Sequence, residues 1–169
     1  LDISEPESGW EASAWAAEQL LTHAEGEVVV LLSADTILMP NALATIVSLM
    51  EKQSLQLVSL LPADQNKTLA QKLVLNQNHF LLLGCYPAGW VEKKHPSINL
   101  AYSGLIGMNR SALHKIGGFK SSRKSPIAEM ELARQASLAG LKTSFYLAGD
   151  VATSQNHATF ETITHDNVQ

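Results

Sequence analysis

The most constraining feature of the sequence is a run of five apolar residues, Val28–Leu32, that ends abruptly in a polar turn at residues 33–36. A run without polar alternation predicts a strand that is buried on both faces, as in the parallel sheets of α/β proteins. Open α/β sheets bind ligands at the carboxyl ends of their strands, so Asp35 is the first candidate site residue. The alternative is that Asp35 only forms a local Asx-turn ahead of the helix that Pro40 and Asn41 open.

The rest of the chain alternates between predicted helices and predicted strands. Because this alternation continues almost throughout, the expected fold class is α/β with a mostly parallel sheet, in one domain. Gly104 falls within a predicted strand, where a glycine often marks a bulge or a close approach of the backbone. The first predicted helix follows Trp10, passes through Trp15 and Leu21 and ends near Gly26. The other predicted helices run from Asn41 to about Gln53, Thr68 to Cys85, Arg110 to Ile116, Pro126 to Gly140 and Thr159 to His165. The predicted strands are Val28–Leu32, then Leu55 to Leu61, Ser97 to Met108 and Leu141 to Leu147.

The composition excludes several classes of function. The chain of 169 residues has a net charge of −4 and scattered basic residues, so no nucleic-acid partner is expected. A single cysteine, Cys85, excludes an internal disulfide framework. Glycine and proline break the apolar stretch from Phe80 to Trp90, so no segment is expected to span a bilayer. The first residues lack the features of a signal peptide and the initiator methionine, as in an excised segment.

Four segments together resemble family 2 glycosyltransferases with the GT-A fold. Residues 33–43 resemble their DADT-x-x-x-P-x-x-L segment, and residues 9–16 resemble GW-x-GK-x-WA. Residues 110–119 resemble R-x-A-Y-x-x-IGGH, and residues 128–134 resemble ED-V-x-LAR. The nearer likeness is to the membrane-associated branch that includes ceramide glucosyltransferases and the hopanoid- and carotenoid-linked transferases. It extends from about residue 9 to residue 160.

The resemblance implies a GT-A-like, Rossmann-like three-layer sandwich and a reaction. Residues 1–169 would be one domain, the C-terminal two-thirds of the family module, and the first βαβ half with its nucleotide contacts would precede Leu1. The family transfers a sugar, with inversion, from a nucleotide-sugar donor to a lipid or glycan hydroxyl. Asp35 matches a metal-site aspartate, beside Ser33, and would hold Mg²⁺ or Mn²⁺ against the donor diphosphate. Glu129 matches the general base that deprotonates the acceptor hydroxyl.

The resemblance also provides weaker candidates. His157 follows the last predicted strand, where GT-A enzymes sometimes place a metal-binding histidine. The segment from Thr68 to Trp90 is unusually apolar and is a candidate for peripheral membrane contact, with a buried helix as the alternative. The branch implies a location in the cytoplasm or on the cytoplasmic face of a membrane. Further candidates for donor or acceptor contacts are Trp10, Ser103, Gly104 and Gly118.

The departures from the family pattern remove charge. Ser33 stands where the family has its first aspartate, Ser13 where it has lysine and Phe119 where it has histidine. Ala128 replaces the glutamate before the base, and Thr153, Ser154 and Gln155 occupy a segment in which relatives carry phosphate-binding arginines. The alternative function is therefore a catalytically degenerate domain that serves as a binding or scaffold module. A membrane-surface adaptor that uses the segment from Thr68 to Trp90 is a third hypothesis.

Overall fold

The computed structural model of the chain describes residues 4–64, 101 and 104–154. Its helices are α1 (Ala12–Thr22), α2 (Ala42–Gln53), α3 (Arg110–Lys115) and α4 (Ala128–Leu138), with a 3-10 helix (Gly118–Ser122) before α4. Its strands are β1 (Val28–Leu32), β2 (Thr36–Leu38), β3 (Leu57–Leu61), β4 (Ala63–Asp64), β5 (Leu105–Asn109), β6 (Thr143–Leu147) and β7 (Ala152–Ser154). The helices predicted from Thr68 to Cys85 and from Thr159 to His165 lie outside the described residues. Among the described helices, none has the length and apolarity needed to cross a bilayer.

The main sheet has the strand order β1-β5-β3-β6. β3 and β6 pair in parallel, with Leu57 opposite Thr143. β5 lies between β1 and β3 and runs antiparallel to both of them. Three of the four strands therefore run in one direction, which confirms the prediction of an α/β fold with a mostly parallel sheet.

β1 forms where it was predicted, but its surroundings differ from the prediction. Its described neighbour is the antiparallel strand β5, and β1 lies at the outer edge of the described sheet. Its first four residues are half-buried rather than buried, and Leu32 is 46% exposed. Val28 and Val30 pack into one hydrophobic cluster while Val29 and Leu31 pack into the other. The strand is apolar throughout because both of its faces contact a core.

Helices cover both faces of the main sheet, which confirms the three-layer sandwich. On one face, Ile46 and Met50 of α2 pack against Val58 and Leu60 of β3. The opposite face is covered by α1, α3, the 3-10 helix and α4. The buried side chains of that second cluster are Ala14, Leu21, Leu57, Ala101, Ile106, Met108, Leu113, Phe119, Ala128, Leu132, Ala133 and Ala136.

α2 approaches the sheet closely at Gly107, in the middle of β5. A Cβ atom on Gly107 would lie 2.7 Å from Cγ2 of Ile46 and 3.2 Å from Cγ1 of Val58. Gly104 lies immediately before β5, and its carbonyl accepts the backbone N–H of Ser33 at 3.1 Å.

A second, smaller sheet has the order β2-β7-β4 and was not predicted. β2 follows β1, β4 follows β3 and β7 follows β6, so each strand continues one of the three parallel strands beyond its carboxyl end. β2 and β7 are antiparallel, and β4 and β7 are parallel. The small sheet therefore lies at the edge where α/β sheets bind ligands.

Candidate functional site

Asp35 lies in a tight turn between β1 and β2. The turn is closed by the backbone N–H of Thr36, which donates to the carbonyl of Ser33 at 3.0 Å. α2 begins only at Ala42, so the turn does not lead directly into a helix. The carboxylate accepts hydrogen bonds from two side-chain hydroxyls, one of them 119 residues away in the chain. An Asx-turn, the alternative interpretation, would need only a backbone contact close to Asp35 in the chain.

Two serine hydroxyls donate to the carboxylate of Asp35, one to each oxygen. Oγ of Ser33 lies 2.6 Å from Oδ1, and Oγ of Ser154 lies 2.9 Å from Oδ2. Ser154 is on β7, opposite Thr36 of β2. The hydroxyl of Thr36 is buried and contributes to the lowered pKa of Asp35, although it makes no hydrogen bond of good geometry within the described residues. We call these four residues, Ser33, Asp35, Thr36 and Ser154, the Asp35 cluster.

The environment of Asp35 favours its ionised form. Partial burial by itself raises the pKa of the carboxyl group, but the hydrogen bonds from Ser33, Ser154 and the backbone of Asp35 outweigh it. The pKa therefore lies below its ordinary value of 3.8. A carboxylate that accepts several hydrogen bonds keeps its charge more easily than a solvated one does.

We expect the substitution Asp35→Asn to destabilise the fold at neutral pH but not in strong acid. The folded pKa lies below 3.8, so ionised Asp35 stabilises the folded state fully above that value. As the pH falls through the lower folded pKa, this stabilisation is lost and the two proteins become equally stable. Urea unfolding over a pH series measures the difference. Asp150→Asn, at an exposed turn carboxylate, is the control, and a difference between Asp35→Asn and wild type that persists in strong acid would contradict the expectation.

The described residues do not fit a divalent cation. The Asp35 cluster contains one carboxylate and three hydroxyls, and both carboxylate oxygens already accept hydrogen bonds. Magnesium and calcium need six or more oxygen ligands, and a single carboxylate provides few of them. In the described ranges, no three histidine, cysteine, aspartate or glutamate side chains are grouped so as to hold a metal. His157, the weaker metal candidate, lies outside the described residues.

Glu129 lies in the first turn of α4 and is half-buried. No hydrogen bond or ion pair of its carboxylate is found within the described residues, and none joins it to the Asp35 cluster. Glu131, two residues later, is engaged: Nε and Nη2 of Arg134 donate to it at 2.8 and 2.6 Å, and Nε2 of Gln135 donates at 2.8 Å. These contacts lower the pKa of Glu131. Of the two glutamates, Glu129 is therefore the one whose carboxylate is not engaged by a described residue.

Trp10 and Gly118 make contacts that explain them without a ligand. Trp10 packs edge-on against Trp15, with ring centroids 5.3 Å apart. Gly118 has φ of +63°, and a Cβ atom there would lie 2.6 Å from Oε2 of Glu18. The same carboxylate oxygen accepts the backbone N–H of Phe119 at 2.8 Å. Their predicted role as donor or acceptor contacts remains a prediction, and Ser103 lies outside the described residues.

Sequence reasoning did not identify Ser154 as the partner of Asp35. The two residues are 119 positions apart, and neither local periodicity nor a motif connects them. The hydrogen bond between Asp35 and Ser154 forms because β2 pairs with β7. Each of these strands has only three residues. Strands this short give almost no alternation that a sequence pattern could reveal.

Comparison with known proteins adds little to this description. No protein-family model matches the chain, and no curated protein matches it. Among solved structures, the chain is similar to glucosyl-3-phosphoglycerate synthase from Mycobacterium tuberculosis, solved in complex with phosphoglyceric acid, at 16% identity and a TM-score of 0.42. The match covers 86% of this chain and 48% of that one, so this chain spans about half its length. The fold assignment rests on the strand order and register of the chain itself.

Proposed function

We propose that the chain is part of a GT-A-like glycosyltransferase module that transfers a sugar from a nucleotide-sugar donor to a hydroxyl acceptor. The four motif resemblances support this proposal. The three-layer α/β fold agrees with it, as does the position of Asp35 at the carboxyl end of β1. A lipid or glycan acceptor and peripheral membrane contact belong to the same proposal, through the resemblance alone.

The observation that carries the proposal is that no hydrogen bond or ion pair with a described residue engages the carboxylate of Glu129. A general base must be able to accept a proton from the acceptor hydroxyl, and a carboxylate engaged by an arginine does so poorly. Glu131 is held by Arg134 and Gln135, whereas Glu129 is held by no described residue. The helix that presents Glu129 is fixed to the core through Ala128 and Leu132, which positions the first turn. Glu129 is therefore our candidate base for deprotonating the acceptor.

Calorimetric titration of the longest natural form of the protein with UDP and UDP-glucose tests the proposal. We expect saturable binding of at least the nucleotide, because a donor pocket is required for transfer. Each titration is repeated with and without Mn²⁺ and on the Glu129→Gln variant, which leaves the donor pocket unchanged. A folded protein that binds none of the common nucleotides or nucleotide-sugars would contradict the proposal.

The second candidate is a binding or scaffold module that has the fold but no transferase activity. It is favoured by the Asp35 cluster, in which neutral hydroxyls surround the one carboxylate. A diphosphate is repelled by an unneutralised carboxylate, so the cluster alone does not favour a donor. The titration separates the two candidates, because only the transferase requires nucleotide binding.

A further inference from the structure

We propose that Asp35 is a hydrogen-bond anchor that joins the carboxyl end of β1 to β7, and that it acts without a divalent cation. The proposal concerns the folded chain before any substrate binds. It does not depend on sugar transfer, and its failure would leave the proposed function standing.

The first argument is the way in which the β2–β7 pair is held. Backbone pairing aligns Thr36 with Ser154 and Leu38 with Ala152, and beyond β2 the N–H of Met39 donates to the carbonyl of Val151 at 2.9 Å. At the opposite end of the pair, the side chain of Asp35 reaches Ser154. The carboxylate thereby connects the turn after β1 to Ser154 of β7, which lies 119 residues later in the chain. This side-chain link adds to the backbone pairing of two strands that have only three residues each.

The second argument is the burial of the hydroxyl that Asp35 accepts. Ser154 is 8% exposed, and a buried hydroxyl without a partner costs free energy. Among the hydrogen bonds found for the described residues, the one to Oδ2 of Asp35 at 2.9 Å satisfies the Ser154 hydroxyl. Asp35 itself is exposed, so its removal lets water reach the Ser154 hydroxyl, and the loss is that of a charge-assisted bond to a mostly shielded group.

The third argument concerns charge. The ion pairs between described residues join Lys120 to Glu18 and Arg134 to Glu131, and neither involves Asp35. The negative charge of Asp35 is instead stabilised by donors on both of its oxygens. A carboxylate stabilised in this way needs no cation to remain ionised in a folded protein. The hydrogen bonds from Ser33 and Ser154 therefore supply the stabilisation of the charge that a cation would otherwise provide.

A double-mutant cycle in thermal unfolding tests the anchor. We expect Asp35→Ala and Ser154→Ala each to lower the melting temperature by about 5 °C, as loss of a charge-assisted hydrogen bond does in a chain of this size. In the Asp35→Ala background, we expect Ser154→Ala to have little further effect, because the two residues act through one bond. Asp150→Ala removes an exposed carboxylate from the turn before β7 and is the matched control, with no loss expected.

Whether Asp35 binds a divalent cation is tested in the same experiment, by adding Mn²⁺ or Mg²⁺ alone to the full chain. A ligand that binds only the folded state raises the melting temperature, so a cation site at Asp35 would give a rise that Asp35→Ala abolishes. We expect no rise that depends on Asp35. Such a rise would overturn the proposal, as would additive losses in the cycle or an equal loss in Asp150→Ala. If Asp35→Ala does not fold, Asp35→Asn takes its place in the cycle, since it removes the charge that Ser154 donates to while keeping the shape of the side chain.

Discussion

Replacement of Glu129 by glutamine is expected to lower the rate of sugar transfer by about 10²- to 10⁴-fold, the usual contribution of a general base. Glutamine has nearly the same shape but cannot take up the proton of the acceptor hydroxyl. The affinity for the nucleotide-sugar should stay unchanged, since the substitution removes a group needed in the transition state. The measurement is the initial rate of nucleotide release from the donor identified by titration, with donor affinity measured in parallel.

The matched control for this prediction is Glu131→Gln, in the same helix turn. This substitution removes the same charge but breaks the bidentate contact with Arg134 and weakens the contact with Gln135. We expect a small loss of stability and a transfer rate within a few-fold of wild type, because surface ion pairs contribute little. A large loss of rate in Glu131→Gln together with normal turnover in Glu129→Gln would show that the wrong glutamate was assigned.

The elements that the sequence predicts well are those whose signal is local. β1 is an uninterrupted apolar run, and it forms with the predicted bounds. α2 has apolar residues at helical spacing and begins one residue after the predicted start. α3 ends before Gly117, which has φ of +82°, a conformation that glycine adopts at little cost.

The features that the sequence does not predict depend on contacts between distant parts of the chain. The pairing of β1 with β5 reverses the expected direction of its neighbour, and no residue of Val28–Leu32 specifies which strand lies beside it. The Asp35 cluster needs Ser154, which the motif comparison treats only as a lost arginine. For the same reason, the sequence identified Asp35 and Ser33 as site residues but not Ser154, whose hydroxyl donates to the second oxygen of Asp35.

Phe119 is another residue whose role is visible only in the fold. By motif it is a departure from a family histidine, which suggests loss of a polar function. In the structure it is 1% exposed within the cluster formed by α1, the 3-10 helix and α4. Its backbone N–H donates to Oε2 of Glu18 in α1. Phe119 is therefore held both by this hydrogen bond and by the packing of its side chain in the cluster. An imidazole at this position would be buried among apolar groups, which is unfavourable unless it finds a hydrogen-bond partner.

We therefore expect Phe119→Ala to lower the free energy of unfolding by about 3 to 5 kcal/mol, because the cavity left by a buried phenylalanine cannot close completely. The melting temperature should fall by about 10 °C in a chain of this size. Urea and thermal unfolding measure both quantities, and Phe145→Ala, on half-buried β6, is the control with a clearly smaller expected loss.

Phe119→His should also destabilise the fold strongly, since the polar ring would replace an apolar one in the core. If Phe119→His is as stable as wild type, the position is accessible to water and the packing role assigned to Phe119 is wrong.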